Sequence, residues 1–296
     1  MTDLPIRQAL AIPEIGAMKR AGTKIVMVTA YDFPSARLAS EAGIDLILVG
    51  DSAGNNVLGY ESTVPVGMDE AAMLTAAVAR ARPRALIVGD MPFGSFQASD
   101  SEAVANAVRL VKAGADAVKL EGAGPMLSRV RAIVDAGIPA MGHLGLTPQS
   151  ATKLGGMKTQ GRTAGAARQI MADARDLQVA GCFAIVLEAV PAQVAARVTE
   201  GLTIPTIGIG AGAGCDGQVL VWHDVLGVNE GVTPRFVKRY ADVAGEIRRG
   251  LTAFAADVRS GAYPSAEHEY KISAEELKAF DELPPGIADD DVFRDW

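Results

Sequence analysis

A short apolar run ends in a carboxylate at DLILVGD, residues Asp45–Asp51. A continuous run of Val, Ile and Leu is typical of a parallel strand that is buried on both faces. The charge at its end would be costly inside a core, so it indicates an open, functional rim. The pattern recurs in four segments: ALIVGD (Ala85–Asp90), AVKLE (Ala117–Glu121), FAIVLE (Phe183–Glu188) and, more weakly, QVLVWHD (Gln218–Asp224). This repetition favours an α/β barrel with a carboxylate-lined, metal-binding mouth at the C-terminal ends of the strands, where barrel active sites lie.

The exits of the predicted helices share one pattern, in which a helix ends, a glycine takes the left-handed position and a strand begins. The glycines are Gly43, Gly114, Gly137, Gly181 and Gly201. With the apolar runs, they predict eight strands, near residues 24–29, 45–50, 85–90, 117–121, 139–143, 183–188, 205–209 and 218–222. Helical patterns lie between most of them, at 34–42, 69–81, 102–113, 125–136, 164–180 and 191–200. Such alternation implies parallel pairing and a (β/α)8 TIM barrel, which suits a chain of 296 residues.

A doubly wound sheet is the rival architecture. It would place a glycine-rich phosphate loop after the first strand, but that strand runs into Tyr31-Asp32-Phe33-Pro34. The glycine-rich string GIGAGAGCDG, residues 208–217, follows the seventh strand instead. In barrels this region often binds phosphate, but close packing of backbone in a tight loop is the interpretation that we favour.

The predicted barrel, with an N-terminal helix, spans residues 1–263, and residues 264–296 form a C-terminal extension with an acidic tail. The N-terminal helix is expected either to plug the bottom of the barrel or to pack on a neighbouring subunit. After the last strand we predict a long helix, capped by Thr233 and begun by Pro234. Its apolar stripe runs from Phe236 to Val258.

The composition excludes several classes of function. A net charge of −7 and a pI near 5.1 argue against binding to nucleic acid or to anionic membranes. Two cysteines, Cys182 and Cys215, are too few for a disulfide framework and indicate a reducing compartment. The chain shows neither a signal-peptide pattern nor an apolar run long enough to span a membrane. We therefore expect a soluble, cytoplasmic protein.

Seven polar residues stand at the predicted strand ends: Asp51 and Ser52 (strand two), Asp90 (three), Lys119 and Glu121 (four), His143 (five) and Glu188 (six). Adjacent strands lie about 4.8 Å apart, so Asp51 and Asp90 should be able to share one cation. A carboxylate site with no nearby Cys and one His favours Mg²⁺ over Zn²⁺.

Two residues of this set leave alternatives open. Lys119 could form a Schiff base or could hold a substrate carboxylate as a fixed positive charge. We favour the fixed charge, because Glu121 lies two residues away on the same face of the strand and keeps the amine protonated. His143 could be a hydrogen-bonded rim residue or could orient substrate.

Six strings resemble the ketopantoate hydroxymethyltransferase family: KIVMVTAYDFPSA, DLILVGDSAGNNVLGYESTVPV, IVGDMPFGSF, AVKLEG, GHLGLTPQS and GIGAGAGCDGQVLVWHDVLG. The resemblance extends from about Ile12 to Tyr263, in order and spacing. It implies a barrel of the phosphoenolpyruvate mutase and isocitrate lyase group. It also implies hydroxymethyl transfer from 5,10-methylenetetrahydrofolate to 3-methyl-2-oxobutanoate, giving 2-dehydropantoate in pantothenate biosynthesis. A large homo-oligomer, commonly a decamer, is expected as well.

The same resemblance implies roles for the strand-end residues. Asp51 and Asp90 match magnesium ligands, with Glu121 in the metal shell. Ser52, Asp90 and Lys119 match contacts to the keto acid, and Glu188 matches the general base. Across an eight-strand ring, Glu188 would face the metal with the substrate between them. The metal would stabilise the enolate that forms when the base removes the proton from C3.

Two other classes of function remain open. A different metal-dependent lyase or mutase of the same barrel group would bind Mg²⁺ and a keto acid but would need no folate. A non-catalytic scaffold is the other alternative, and the mouth carboxylates disfavour it because uncompensated like charges repel.

Overall fold

In a computed structural model, which describes residues 9–231 and 233–283, eight parallel strands form a closed barrel in the order β1 to β8. The strands are β1 (Ile25–Thr29), β2 (Leu46–Val49), β3 (Leu86–Asp90), β4 (Ala117–Glu121), β5 (Ala140–Gly145), β6 (Ala184–Glu188), β7 (Thr206–Ile209) and β8 (Gly217–Leu220). Every predicted strand is present, with its ends within two residues of the expected positions. The predicted TIM barrel is confirmed, and β1 closes the ring against β8.

In the described part of the chain, ten helices accompany the barrel: the first precedes β1, the last follows β8 and the other eight lie between strands in the sequence. They are α1 (Ile12–Ala21), α2 (Phe33–Glu41), α3 (Ala53–Asn56), α4 (Met68–Arg80), α5 (Asp100–Ala113), α6 (Leu127–Asp135), α7 (Ala151–Leu154), α8 (Ala164–Val179), α9 (Ala192–Glu200) and α10 (Trp222–Val225). Side-chain caps begin three of them, as when Asp32 accepts a hydrogen bond from the Ser35 N–H at 2.8 Å.

The glycines at the helix exits behave as predicted at four of five positions. Gly114, for example, has a φ of 110°, and a side chain there would collide with Ala79 of α4. Gly201 is the exception, because its φ of −83° keeps it in the right-handed region. The prediction of a left-handed cap at Gly201 is therefore wrong.

The interior of the barrel is apolar below the polar C-terminal ends of the strands. Alternate residues of each strand point inward and form one cluster: Ile25, Met27, Leu46, Leu48, Leu86, Val88, Ala117, Met141, Ala184, Val186, Ile207 and Val219. Ile15 of α1 belongs to the same cluster and is fully buried. Of the two placements expected for the N-terminal helix, the structure therefore shows the plug.

A partly buried ion pair fastens this plug to the barrel. Lys19 Nζ of α1 lies 2.8 Å from Asp216 Oδ2 and 3.0 Å from the Thr199 carbonyl oxygen. The same Asp216 oxygen accepts a hydrogen bond from the Thr206 N–H at 2.9 Å. The pair thus joins α1 to β7 and to the residue that precedes β8.

The chain divides into two compact units after Asp242. The C-terminal unit contains α11 (Val243–Ser260) and α12 (Ala274–Glu282). The sequence placed this boundary after Tyr263, so α11 belongs to a different unit from the one expected. The predicted acidic tail lies largely in residues 284–296, outside the described residues. No helix in the described ranges is both long and apolar enough to cross a membrane.

The prediction that one helix begins at Thr233 is wrong, because α11 begins ten residues later. The intervening segment forms its contacts with the barrel instead. The Tyr240 N–H donates to the Val225 carbonyl at 2.8 Å, and the Phe236 ring packs against Gly210. These tertiary contacts override a helical pattern that was apparent from the spacing of apolar residues alone.

We predict that Lys19→Met lowers the free energy of unfolding by about 1.5–3 kcal/mol, the usual worth of a hydrogen bond to a charged group. Removing the ammonium leaves the Asp216 carboxylate, whose side chain is 16% exposed, without its counter-charge. Urea unfolding followed by circular dichroism measures the change. Arg37→Met is the matched control, since its pair with Glu41 is exposed and should contribute little. Equal effects of the two substitutions would contradict the importance of the plug.

Candidate functional site

The seven polar residues predicted at the strand ends all line one cavity of about 600 Å³ at the C-terminal end of the barrel. Strand register explains this convergence. Asp90 pairs with Lys119 between β3 and β4, Glu121 pairs with His143 between β4 and β5, and Glu188 lies beside Gly145. Because parallel strands end at the same edge of the ring, residues that are distant in sequence meet at one mouth.

Asp51 and Asp90 form a direct contact at the ends of the neighbouring strands β2 and β3. The Asp51 backbone N–H donates to Asp90 Oδ2 at 3.0 Å. Asp90 Oδ1 lies 2.9 Å from Lys119 Nζ, and both side chains are almost fully buried. Burial raises the pKa of Asp90 and the charge of Lys119 lowers it, but the charges of Asp51 and Glu121 add to burial and bring the pKa to about 7.

Lys119 is surrounded by acids. Burial alone would lower the pKa of its amine, but the charges of Asp90, Glu121 and Asp51 raise that pKa above its ordinary value. A lysine that forms a Schiff base needs the opposite shift, toward a neutral amine. The environment therefore supports the fixed positive charge and disfavours the nucleophile.

His143 lies between two acids. Its Nδ1 is 3.3 Å from Glu121 Oε1 and its Nε2 is 3.2 Å from Glu188 Oε2. Burial and the charge of Lys119 lower the pKa of His143, but the proximity of these two acids outweighs both effects and raises it to about 9. Nδ1 is also 3.3 Å from Lys119 Nζ.

These contacts bear on the two roles that the sequence left open for His143. The ring is 3% exposed, shares a hydrogen bond with Lys119 Nζ and lies within 3.3 Å of both Glu121 and Glu188. This is the first of the two roles. Orientation of a substrate by His143 stays a prediction, although the ring does line the cavity.

The site contains two further residues, Gln149 and Tyr31, that were not predicted from the sequence. Gln149, from the 3₁₀ turn Pro148–Ser150, donates to Asp51 Oδ2 at 2.9 Å through Nε2 and to Glu121 Oε2 at 3.1 Å through its backbone N–H. Tyr31 follows β1 and is not among the seven predicted residues. Its hydroxyl lies 2.8 Å from Ser52 Oγ, so it holds the side chain of a predicted contact residue.

The glycine-rich string after β7 is explained by close packing. A side-chain carbon at Gly214 would come within 2.8 Å of the Ala196 Cβ of α9, and one at Gly217 would come within 2.5 Å of the Ile25 carbonyl oxygen. The backbone can approach both neighbours only without side chains. These contacts account for the glycines, as the favoured interpretation predicted.

The donor set fits a hard divalent cation. Four acids, Asp51, Asp90, Glu121 and Glu188, line the cavity together with Lys119 and His143, so carboxylate oxygens are its main donor atoms. Among the described residues, no three His, Cys, Asp or Glu side chains form a ready metal-binding group. Two aspartates are nevertheless enough for Mg²⁺, which keeps several waters and takes the remaining ligands from substrate. The place of Glu121 in the metal shell stays a prediction.

Comparison with known proteins is consistent across sequence and structure. A family model described as Ketopantoate hydroxymethyltransferase matches residues 9–266. A 3-methyl-2-oxobutanoate hydroxymethyltransferase from Moorella thermoacetica is 56% identical over 266 residues, covering 90% of this chain and 99% of the relative. One from Thermotoga neapolitana is 54% identical over 247 residues, covering 83% of this chain and 92% of the relative.

Solved structures with lower sequence identity share the fold. Phosphoenolpyruvate phosphomutase from Streptomyces platensis subsp. rosaceus matches with a TM-score of 0.58 at 16% identity, covering 92% of this chain and 96% of that one. A 2,3-dimethylmalate lyase, a PEP mutase/isocitrate lyase superfamily member, matches with a TM-score of 0.56 at 12% identity, covering 92% and 94%. These likenesses show that the chain shares the barrel fold of those structures.

Proposed function

This chain belongs to the ketopantoate hydroxymethyltransferase family, and from that membership we infer that it carries out the reaction of its relatives, the transfer of a hydroxymethyl group to 3-methyl-2-oxobutanoate. We propose 5,10-methylenetetrahydrofolate as the donor and 2-dehydropantoate, an intermediate of pantothenate biosynthesis, as the product. The observation that carries the proposal is the convergence of seven strand-end residues on one cavity of about 600 Å³.

Asp51 and Asp90 would hold Mg²⁺, with Glu121 beside them. When bound, the ion supplies positive charge that stabilises negative charge developing on the substrate oxygens. The contact between the Asp51 N–H and Asp90 Oδ2 supports this role, because it holds the two aspartates next to each other. Burial disfavours the ionised form of Asp90 and so raises its pKa. A bound cation would stabilise the ionised carboxylate.

Lys119 and Ser52 would bind the keto acid. The Lys119 ammonium is the buried positive charge that an anionic substrate meets in a mouth with an excess of negative charge, and its contact with Asp90 at 2.9 Å fixes its position. Ser52 is held by the Tyr31 hydroxyl, so its oxygen is oriented before substrate arrives. Both side chains line the same cavity.

Glu188 would act as the general base that removes the C3 proton. It ends β6, across the ring from β2 and the proposed metal ligands. His143 Nε2 lies 3.2 Å from Glu188 Oε2, and Oε1 is outside that contact. We propose that Oε1 takes the proton.

The cavity volume of about 600 Å³ lies within the range of roughly 300–1,000 Å³ that is usual for ligand sites. We propose that the folate donor occupies the outer part. Met157, Lys158 and Thr159 line the cavity from the glycine-rich loop 153–163, which would close over it as a lid. Assembly into a homodecamer and a cytoplasmic location stay predictions.

The metal is tested by Asp90→Asn, which removes a charge and keeps the shape. We expect magnesium affinity to fall by about 100-fold or more, since loss of an outer partner of a ligand alone costs about 10–100-fold. Isothermal titration calorimetry on protein stripped with EDTA measures it, and activity should return when Mg²⁺ is added to the wild type. Asp69→Asn is the matched control, because that side chain is 96% exposed. Full activity of exhaustively stripped protein would refute the metal.

The role of Lys119 is tested by borohydride reduction in the presence of the keto acid, followed by mass spectrometry. A fixed charge leaves no covalent adduct. Lys119→Ala should raise the KM for the keto acid about 10- to 100-fold at saturating Mg²⁺, as expected for the loss of a charged hydrogen bond. Lys112→Ala, on the last turn of α5, is the control. An adduct at Lys119 would assign the enzyme to the Schiff-base class instead.

The base is tested by Glu188→Gln, which keeps the length of the side chain but cannot take a proton. Loss of a general base typically costs about 10²–10⁴-fold in rate. The variant should bind Mg²⁺ and keto acid normally but should lose exchange of the C3 hydrogen with deuterated water, which proton NMR follows in the absence of folate. Exchange at the wild-type rate would move Glu188 to another role, such as proton transfer on the folate side.

A further inference from the structure

We propose that Gln149 is a positioning residue that holds the mouth acids in the geometry that the cation requires, before any cation is bound. Its Nε2 donates to Asp51 Oδ2 at 2.9 Å and to the Met91 carbonyl oxygen, also at 2.9 Å. Its backbone N–H donates to Glu121 Oε2 at 3.1 Å. One residue on the β5 side of the mouth therefore reaches the ends of β2, β3 and β4.

The place of Gln149 in the fold makes these contacts firm. It is the middle residue of the 3₁₀ turn Pro148–Ser150, which the Ser150 N–H closes onto the Thr147 carbonyl at 2.9 Å. The proline fixes the first backbone angle of the turn. Gln149 is 6% exposed, so water is largely excluded from replacing its hydrogen bonds.

Electrostatics explain why the mouth needs such a residue. The Asp51 N–H contacts Asp90, and Gln149 bonds to both Asp51 and Glu121. The three acids therefore lie close together and repel one another when no cation is present. Lys119 contacts Asp90 and His143 contacts Glu121. Gln149 supplies a donor to Asp51 and a second donor to Glu121, and so restrains both against that repulsion.

The chemistry of an amide suits this task better than that of a charged side chain. An ammonium at the position of Nε2 would compete with Mg²⁺ for Asp51, and a carboxylate would add to the repulsion. The amide engages one oxygen of Asp51 without neutralising its charge. It also donates to the carbonyl oxygen of Met91, the residue after Asp90. One amide group therefore bonds to the ends of both β2 and β3 and fixes the distance between them.

This inference rests on the proposed magnesium site, and the experiment separates the two. Isothermal titration calorimetry with MgCl₂ alone is carried out on stripped wild-type protein and on Gln149→Met, which keeps the length of the side chain but removes its donor. We expect a loss of magnesium affinity of about 10- to 100-fold, the usual effect of removing a partner of a metal ligand. The melting temperature should change little, and excess Mg²⁺ should restore much of kcat.

Two further variants make the result decisive. Gln149→Asn keeps the amide but shortens its reach, and should show a loss in the same direction. Gln169→Met is the matched control, because the Gln169 amide donates to Asp173 on its own helix and not to an acid of the mouth. The magnesium affinity of this variant should equal that of the wild type.

The outcomes are distinguishable. If the wild type binds no Mg²⁺, the proposed metal site itself fails. If the wild type binds but the Gln149 variants that fold bind within twofold of it, the positioning role is overturned. If neither Gln149→Met nor Gln149→Asn folds, Gln149 is a structural residue and the proposal is equally overturned.

Discussion

The structure depends on the burial of several acids at one end of a barrel. Carboxylates removed from water destabilise a fold unless they are paired, hydrogen-bonded or neutralised. Here Lys119 is paired with Asp90, His143 lies between Glu121 and Glu188, and Gln149 donates to Asp51 and Glu121. The acids still outnumber the basic side chains after these contacts. This net negative charge suits the mouth to a divalent cation, which together with Lys119 would attract an anionic keto acid.

The barrel supplies the geometry that this arrangement needs. Its lower interior is an apolar cluster closed by Ile15 of α1, so polar side chains are confined to the ends of the strands. Alternation along β4 points Lys119 and Glu121 to the same side. Parallel register then places Asp90 beside the first and His143 beside the second. Stability and function thus occupy opposite ends of the same strands, as in other barrels.

Much of this could be predicted from the sequence, because strands that end in charge are visible as local patterns. All eight strands and all seven strand-end residues were found in this way. Gln149 was missed because it is uncharged and lies on a short turn that has no periodicity, and its bonds depend on how three strands come together. The bridging role of His143 likewise depends on register. The prediction of a helix from Thr233 was wrong although the local pattern was clear, because contacts with the barrel determine the conformation of that segment.

The central claim is that these buried acids and their partners carry out folate-dependent hydroxymethyl transfer on a keto acid. The most direct measurement is to follow 3-methyl-2-oxobutanoate by proton NMR with magnesium-loaded protein, with and without 5,10-methylenetetrahydrofolate. The account predicts that 2-dehydropantoate forms only when the folate is present, and that without it the carbon skeleton of the keto acid stays intact. Cleavage or rearrangement of the keto acid in the absence of folate would contradict it and would assign the same mouth to lyase or mutase chemistry.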